Sequence, residues 1–148
     1  MHFTEGKLGR IFILRMQDGD NLPDFLEIFA AEKEITSAIC FFLGGAKESG
    51  KVVVGPENSN EAPLNPLIRV LNGIHEVCGI GTIFEDEKKK PKLHMHASFG
   101  RDNNSITGCI RMGITIWEIG EVILLEISNA SAIRVMDQKK GFEFLEIS

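Results

Sequence analysis

Short apolar runs and alternating apolar and polar residues recur along this chain, and both patterns predict β-strands. Residues 38–43 are apolar throughout, so their strand is predicted to be buried on both faces. Gly79 and Gly81 interrupt another strand, which suggests a bulge, a tightly packed neighbour or a ligand at these positions. The predicted strands cover residues 9–16, 35–45, 51–55, 75–84, 114–119, 121–127, 132–136 and 142–147.

One segment has helical rather than strand periodicity. Its apolar residues recur at three- and four-residue spacing from Leu22 to Ala30, Asn21 is placed to cap the helix, and Pro23 suits its first turn. A second, short helix is predicted for residues 66–71. Many strands and one main helix predict an α+β fold: a single domain over residues 1–148, core about 9–148, with a mostly antiparallel β-sheet packed against the helix.

The most informative stretch is Leu-His-Met-His-Ala-Ser-Phe-Gly at residues 93–100. In a strand, successive side chains point to opposite faces, so His94, His96 and Ser98 share one face. Residues 101–104 suit a tight turn, and residues 105–113 can return as the antiparallel partner. This hairpin places three pairs opposite one another: Gly100 with Ser105, His96 with Cys109, and His94 with Arg111.

Imidazole and thiolate are both good ligands for zinc and similar metals. His94, His96 and Cys109 therefore form a candidate divalent-metal site, with an open fourth position and with Arg111 placed to contact an anionic ligand. His75 is a weaker candidate, because it begins the preceding strand and could reach the same edge. The alternative is that the histidines form a half-exposed face and that Cys109 is a small buried apolar residue.

Composition narrows the classes of function. The 148 residues are 43% hydrophobic and carry a formal net charge of −5, which disfavours a broad phosphate-binding surface. No run is long enough to predict a transmembrane helix, and the N-terminus lacks a signal pattern, so a cytoplasmic protein with no membrane association is predicted. Cys40, Cys78 and Cys109 are odd in number and far apart, which does not predict disulfides.

Three segments resemble the plants-and-prokaryotes conserved (PPC) domain family: residues 15–22, 93–96 and 107–110. The family marker is Leu-His-x-His followed, at this distance, by Gly-Gly-His-Leu. Residues 93–96 read Leu-His-Met-His, and residues 107–110 read Thr-Gly-Cys-Ile. The chain thus departs from the marker at Thr107, at Cys109 and conservatively at Ile110, and Cys109 exchanges one competent metal ligand for another.

The resemblance extends from about residue 9 to the C-terminus. It implies a compact α+β domain that assembles as a homotrimer, with the histidine face near a subunit boundary. Plant members carry an AT-hook for the DNA minor groove, whereas stand-alone microbial members, which this chain resembles, are labelled predicted DNA-binding proteins without a settled activity. The Arg-Gly-Arg-Pro core of an AT-hook does not occur in these 148 residues.

These observations support three functional hypotheses. The first is a homotrimeric regulatory or binding domain, acting through protein partners or through nucleic acid, with Lys88, Lys89, Lys90 and Lys92 forming a basic patch across subunits. The second is a metal-dependent enzyme or small-molecule-binding protein that uses zinc or another divalent ion at His94, His96 and Cys109. In the third, the histidine hairpin is simply part of the trimer seam.

Overall fold

The computed structural model describes residues 1–147, in which the chain forms eleven β-strands and one α-helix. The α+β prediction is confirmed: a mostly antiparallel sheet packs against one helix. The elements are β1 (Lys7–Gln17), β2 (Asn21–Leu22), α1 (Asp24–Glu32), β3 (Ser37–Ala46), β4 (Lys51–Pro56), β5 (Pro66–Val70), β6 (His75–Glu85), β7 (Pro91–Arg101), β8 (Asn104–Cys109), β9 (Ile114–Ser128), β10 (Ala132–Asp137) and β11 (Phe142–Ile147).

Nine strands form the main sheet. Eight of them follow the order β1-β9-β3-β6-β7-β8-β4-β5, β2 pairs with β9, and every neighbouring pair is antiparallel. Strands β10 and β11 form a separate hairpin, which we call the C-terminal hairpin. A single parallel bridge, between Asp86 and Arg134, joins this hairpin to the β6–β7 turn.

Helix α1 packs on one face of the main sheet and determines which side chains of β7 are buried. Leu26 and Ala30 of the helix are fully buried, and the Glu27 carboxylate accepts the backbone N–H of Leu93 at 3.0 Å. Leu93, Met95, Ala97 and Phe99 face this core, so the alternate residues of β7 point to the other side. The helix thereby directs His94 and His96 away from the core.

The opposite face of the sheet, which we call the open face, carries one continuous cross-strand row. The strand register aligns Ile13, Ile123, Phe41, Ile80, His96 and Cys109. The apolar members of this row are exposed, with 83% of Ile13 and 58% of Ile80 accessible. The open face is therefore largely apolar over β1, β9, β3 and β6, and it reaches the histidines on β7.

Close packing explains the two glycines of β6. A Cβ at Gly79 would lie 3.0 Å from the Ala97 Cβ, and a Cβ at Gly81 would lie 2.8 Å from the Met95 Cβ. The prediction of a tightly packed neighbour at both positions is confirmed.

Several local predictions are wrong. Residues 66–71 form no helix, because Pro66–Val70 pairs with β4 as strand β5. Asn21 does not cap α1, because it lies in β2 and pairs there with Thr115 of β9. Pro23 occupies the N-cap position without a side-chain hydrogen bond.

Two further strand predictions also need correction. Residues 114–119 and 121–127 form one strand, β9, which is interrupted by a bulge where Glu118 has φ 59°. The apolar run of β3 is buried on one face only, since Phe41 and Leu43 lie on the open face.

The three cysteines are free, as predicted. Cys40 lies in the core, where burial raises the pKa of its thiol to about 12, so it is inert packing at neutral pH. Among residues 1–147, no helix has the length and apolarity needed to span a membrane.

The contact between β8 and β4 generates a test of this fold. A Cβ at Gly108 would collide with the Val53 carbonyl oxygen and lie 2.9 Å from Val52 Cγ1. We therefore expect Gly108→Ala to lower the free energy of unfolding, measured by urea denaturation, by about 1–3 kcal/mol. The matched control is Gly100→Ala, whose Cβ would meet nothing closer than the Glu76 carbonyl oxygen at 3.9 Å. Equal losses in the two variants would contradict this packing.

Candidate metal centre

Strands β7 and β8 bring the candidate ligands together. Their register pairs Gly100 with Ser105 and His96 with Cys109, as the turn chemistry predicts. Ser98 and Thr107 are also directly opposed, and their hydroxyl oxygens lie 2.7 Å apart in a hydrogen bond. Directly opposed residues share one face, so Cys109 joins the histidines on the open face.

His94, His96 and Cys109 form a compact group, which we call the HHC cluster. One ligand atom from each side chain lies within 4.8 Å of the other two. The two Nε2 atoms are 3.2 Å apart, and the rings meet edge to face with centroids 4.9 Å apart. Both histidines are exposed, whereas Cys109 is buried.

These donors fit a tetrahedral zinc ion. Zinc–nitrogen bonds of about 2.0–2.1 Å place two tetrahedral nitrogen ligands roughly 3.3 Å apart, which matches the separation of the two Nε2 atoms. Two imidazoles and one thiol are ligands that zinc prefers, and three protein ligands leave one coordination position open.

The electrostatic surroundings keep His94 neutral. Partial burial of its ring lowers its pKa, and the neighbouring guanidiniums of Arg134 and Arg111 and the His96 ring lower it further. A neutral imidazole is the form that binds a metal, so His94 is available as a ligand at neutral pH.

Arg111 lies at the same site by a different route from the one predicted. The β7–β8 ladder ends at the His96–Cys109 pair, and the direct pairing of His94 with Arg111 is wrong. The Ile110 N–H donates to the Met95 carbonyl oxygen at 3.1 Å, and the chain then turns at Arg111. On β6, the residue opposite His94 is Thr82. Arg111 nevertheless lines the cavity beside the HHC cluster.

His75 lies apart from the cluster. It is the first residue of β6, opposite Ala46, and its side chain is buried on the core side with Val77. Its Nδ1 is 2.9 Å from the Gly73 carbonyl oxygen, so this ring has a structural hydrogen bond. The structure thus brings His94, His96 and Cys109 together but not His75.

A cavity of about 540 Å³ opens next to the HHC cluster. This volume is in the range of small-molecule sites. The C-terminal hairpin closes one side with Phe142, Phe144 and Leu145, and β4 contributes Val53. The walls are therefore mainly apolar, with the cluster and a few charged side chains at one end.

Arg134 is the functional candidate that the sequence analysis missed. It projects from β10 into the cavity wall and is only 5% exposed. Its Nη2 donates to Thr82 Oγ1 at 2.8 Å, its guanidinium carbon lies 5.8 Å from the centre of the Phe84 ring, and its buried Nε has no partner. Among residues 1–147, no carboxylate lies within 4.0 Å of its charged nitrogens.

The sequence contained one sign of this residue. Arg134 interrupts the otherwise apolar stretch Ala-Ile-Arg-Val-Met at residues 132–136. A lone charge inside a short apolar strand is unusual in a position that becomes buried. The pattern alone did not reveal its location, because the hydrogen bond to Thr82 joins residues 52 positions apart.

An unpartnered buried charge costs stability, which gives a prediction for Arg134. We expect Arg134→Met, which keeps the apolar packing, to maintain or raise the free energy of unfolding, by up to about 1 kcal/mol. Urea denaturation of the metal-free protein at pH 7 measures this. A loss greater than about 1 kcal/mol would show instead that the guanidinium stabilises the fold.

Arg10→Met is the matched control, because the Arg10 guanidinium forms a salt bridge with the Glu126 carboxylate. Its Nε and Nη2 each donate to the Glu126 carboxylate at 2.7 Å and hold the pKa of Glu126 at about 2, below its usual 4.5. This variant should lose stability at pH 7. Since the depressed pKa favours folding only while Glu126 is ionised in the folded state, the loss should shrink as the pH falls from about 4.5 toward 2.

Three solved structures share this fold. A metal-containing protein from Archaeoglobus fulgidus is 24% identical with a TM-score of 0.83, and the match covers 99% of this chain and 100% of that chain. A plant- and prokaryote-conserved (PPC) protein from Pyrococcus horikoshii is 22% identical, with a TM-score of 0.81 and the same coverage. A protein from Bacteroides thetaiotaomicron, provisionally named as DNA-binding, is 18% identical, with a TM-score of 0.74 and coverage of 99% and 98%.

No curated protein matches this chain in sequence. The family model of the Plants and Prokaryotes Conserved (PCC) domain, which is the PPC domain of the resemblance above, matches residues 3–128. This match spans all nine strands of the main sheet and includes the whole HHC cluster. The chain therefore belongs to the Plants and Prokaryotes Conserved domain family.

Proposed function

We propose that this protein is a metal-dependent ligand-binding domain, in which the HHC cluster holds a divalent ion. The observation that carries the proposal is the convergence of three ligand atoms within 4.8 Å beside a cavity of about 540 Å³. Zinc is the preferred ion on the chemistry of two imidazoles and one thiolate. The Archaeoglobus fulgidus protein with the same fold is named a metal-containing protein, which supports this reading.

The surroundings of the cluster favour a binding site over a purely structural one. A bound ion with three protein ligands supplies a Lewis acid with one open position. Arg111 lines the adjoining cavity and offers a guanidinium to an anionic group. We propose that ligand occupancy at this site serves a regulatory role through protein partners. Catalysis by the same site is the alternative.

The charge distribution disfavours duplex DNA as the main ligand, although the Bacteroides thetaiotaomicron protein is provisionally named as DNA-binding. The chain has a net charge of −5. Lysines 88–90 lie in a turn whose Asp86 carboxylate accepts the backbone N–H groups of Lys88 and Lys90, and Lys92 pairs with Glu27 at 3.8 Å. A cytoplasmic location completes the proposal, since free cysteines suit a reducing compartment.

Elemental analysis of untagged protein tests the metal site. We expect about one zinc or similar ion per chain after purification without chelator. His96→Ala should lose the ion while keeping the circular dichroism of the folded protein, because two remaining ligands hold zinc weakly. His2→Ala, at an exposed position, is the control and should keep the ion. Stoichiometric metal in a His94→Ala, His96→Ala double variant would overturn the proposal.

We also propose that the open face is the seam of a homotrimer, the assembly that the family resemblance implies. The support is the exposed apolar row on this face, in which Ile13, Phe41, Ile80 and Ile123 are each at least 40% accessible. Contiguous apolar surface of this kind marks interaction sites. The row reaches His96, so the seam would border the HHC cluster.

Sedimentation analysis tests the assembly. We expect a particle near three times the chain mass of 16.4 kDa at micromolar concentration. Ile80→Glu should release monomers, because it places a charge in the seam. Ile28→Glu should not, because Ile28 is equally exposed, at 60%, but lies on α1. A monomeric wild-type protein would overturn this proposal without affecting the metal site.

A further inference from the structure

The unusual feature of the cavity is a buried positive charge that forms no ion pair within 4.0 Å with a carboxylate of residues 1–147. Arg134 is 5% exposed, and within residues 1–147 its Nε has no hydrogen-bond acceptor. Burying an unpaired guanidinium is costly, and most proteins pair such a group with a carboxylate. Here the cost is offset in part by the Thr82 hydrogen bond, the Phe84 ring and the charge of the Glu143 carboxylate. An anion bound in the cavity would complete its pairing.

The position of Arg134 is fixed from two directions. Its backbone forms the bridge to Asp86, and its Nη2 bonds to Thr82, the residue opposite His94. The guanidinium therefore lies beside the HHC cluster. Its charge acts directly on His94, and so does the charge of Arg111 from the turn after β8. Two guanidiniums, one from β10 and one from the turn after β8, thus act on the same small region.

The rest of the cavity defines what accompanies the anionic group. Its volume of about 540 Å³ is several times that of an inorganic anion. Apart from the charged side chains and the HHC cluster, the walls are formed mainly by apolar residues of the C-terminal hairpin, of β4 and of the loop that follows it. These are Val53, Pro56, Leu64, Phe142, Phe144 and Leu145.

We propose that this cavity binds a small organic acid, whose anionic group is held by Arg134 and Arg111 and whose apolar body packs against Leu145, which lies opposite Arg134 on the hairpin, and against Val53, which lies opposite Cys109. Charge-assisted, bidentate hydrogen bonds to guanidinium select a carboxylate or a phosphate over a neutral group. This inference rests on the proposed function for the role of the cavity as the ligand site, and it names the class of ligand. The contacts to the anion come from the chain alone and do not require the metal.

Glu143 sets a limit on the charge of the ligand. This carboxylate lines the same cavity, and it raises the pKa of Arg134, against the larger lowering by burial. The side chains of Arg134, Arg111 and Glu143 together carry one net positive charge. A ligand with a single anionic group is therefore favoured over a polyanion such as a nucleoside triphosphate.

Isothermal titration calorimetry with defined probes tests this inference on full-length protein, both zinc-loaded and chelator-treated. We expect hexanoate or hexyl phosphate to bind, and the difference between them identifies the head group. Acetate should bind at least about tenfold more weakly than hexanoate, because it lacks the apolar body. Hexanamide, which is uncharged, should not saturate. Equal binding of hexanoate and hexanamide would overturn the role of the arginines.

Variants assign the anion contact. Arg134→Met should weaken binding of the preferred probe by about tenfold or more, and Arg111→Met should weaken it less, since Arg111 is exposed. Arg69→Met is the matched control, because Arg69 is exposed on β5 and does not line the cavity. Glu143→Gln should tighten binding. Unchanged binding in folded Arg134→Met would show that Arg134 is structural and would overturn the inference.

The metal-site proposal and the organic-acid proposal can be refuted independently of each other. Stoichiometric zinc without saturable binding of any acid would refute this inference and leave the metal site intact. Binding of the acid to protein that holds no metal under any condition would refute the metal site and support the anion contact. If neither metal nor acid bound, both proposals would be wrong.

Discussion

The antiparallel register between β7 and β8 is the constraint on which the candidate site depends. It places Cys109 opposite His96 and aligns both with the row across the open face. A slip by one residue would turn Cys109 toward the core and separate the three ligands. The register is maintained by the Ser98–Thr107 hydrogen bond and by the close approach of Gly108 to Val53. The site is thus a consequence of strand pairing and not of a separate loop structure.

The parts of this arrangement that were predicted from the sequence are local. Alternation along residues 93–99 put both histidines on one face, and the polar residues after Gly100 indicated the turn. The pairing of His96 with Cys109 followed from counting across that turn. The prediction that Arg111 pairs with His94 failed because β8 ends at Cys109. Nothing in the sequence of residues 110–113 indicated that the strand pairing would end there.

The features that were not predicted depend on distant parts of the chain. An apolar run such as that of β3 does not reveal whether one face or two will be covered, and Phe41 is exposed because α1 covers only one face. Asn21 has a good capping side chain, but its backbone pairs with Thr115, 94 residues away in sequence, and strand pairing took precedence. Arg134 reaches the cavity only because the C-terminal hairpin folds back over β6.

The local charge around the cavity differs from the overall charge of the chain. The chain is acidic, with a net charge of −5, yet two arginines and no more than one carboxylate line the cavity. Apolar walls of low dielectric constant strengthen the electrostatic potential that the arginines exert on a bound ligand. Binding sites in proteins commonly contain side chains whose burial lowers the stability of the fold. The unpaired guanidinium of Arg134 fits this pattern.

The C-terminal hairpin pairs mainly with itself, and this makes the cavity separable from the rest of the fold. It is joined to the rest of the fold by the Asp86–Arg134 bridge, by the Arg134–Thr82 hydrogen bond and by the Leu64 N–H, which donates to the Lys140 carbonyl oxygen at 3.2 Å. It lies beyond residues 3–128 that the family model matches. Lifting it away leaves all nine strands of the main sheet paired. Opening of this kind is a sub-global event, whose free energy lies below that of complete unfolding. Such an opening would expose the cavity while the sheet beneath it stays paired.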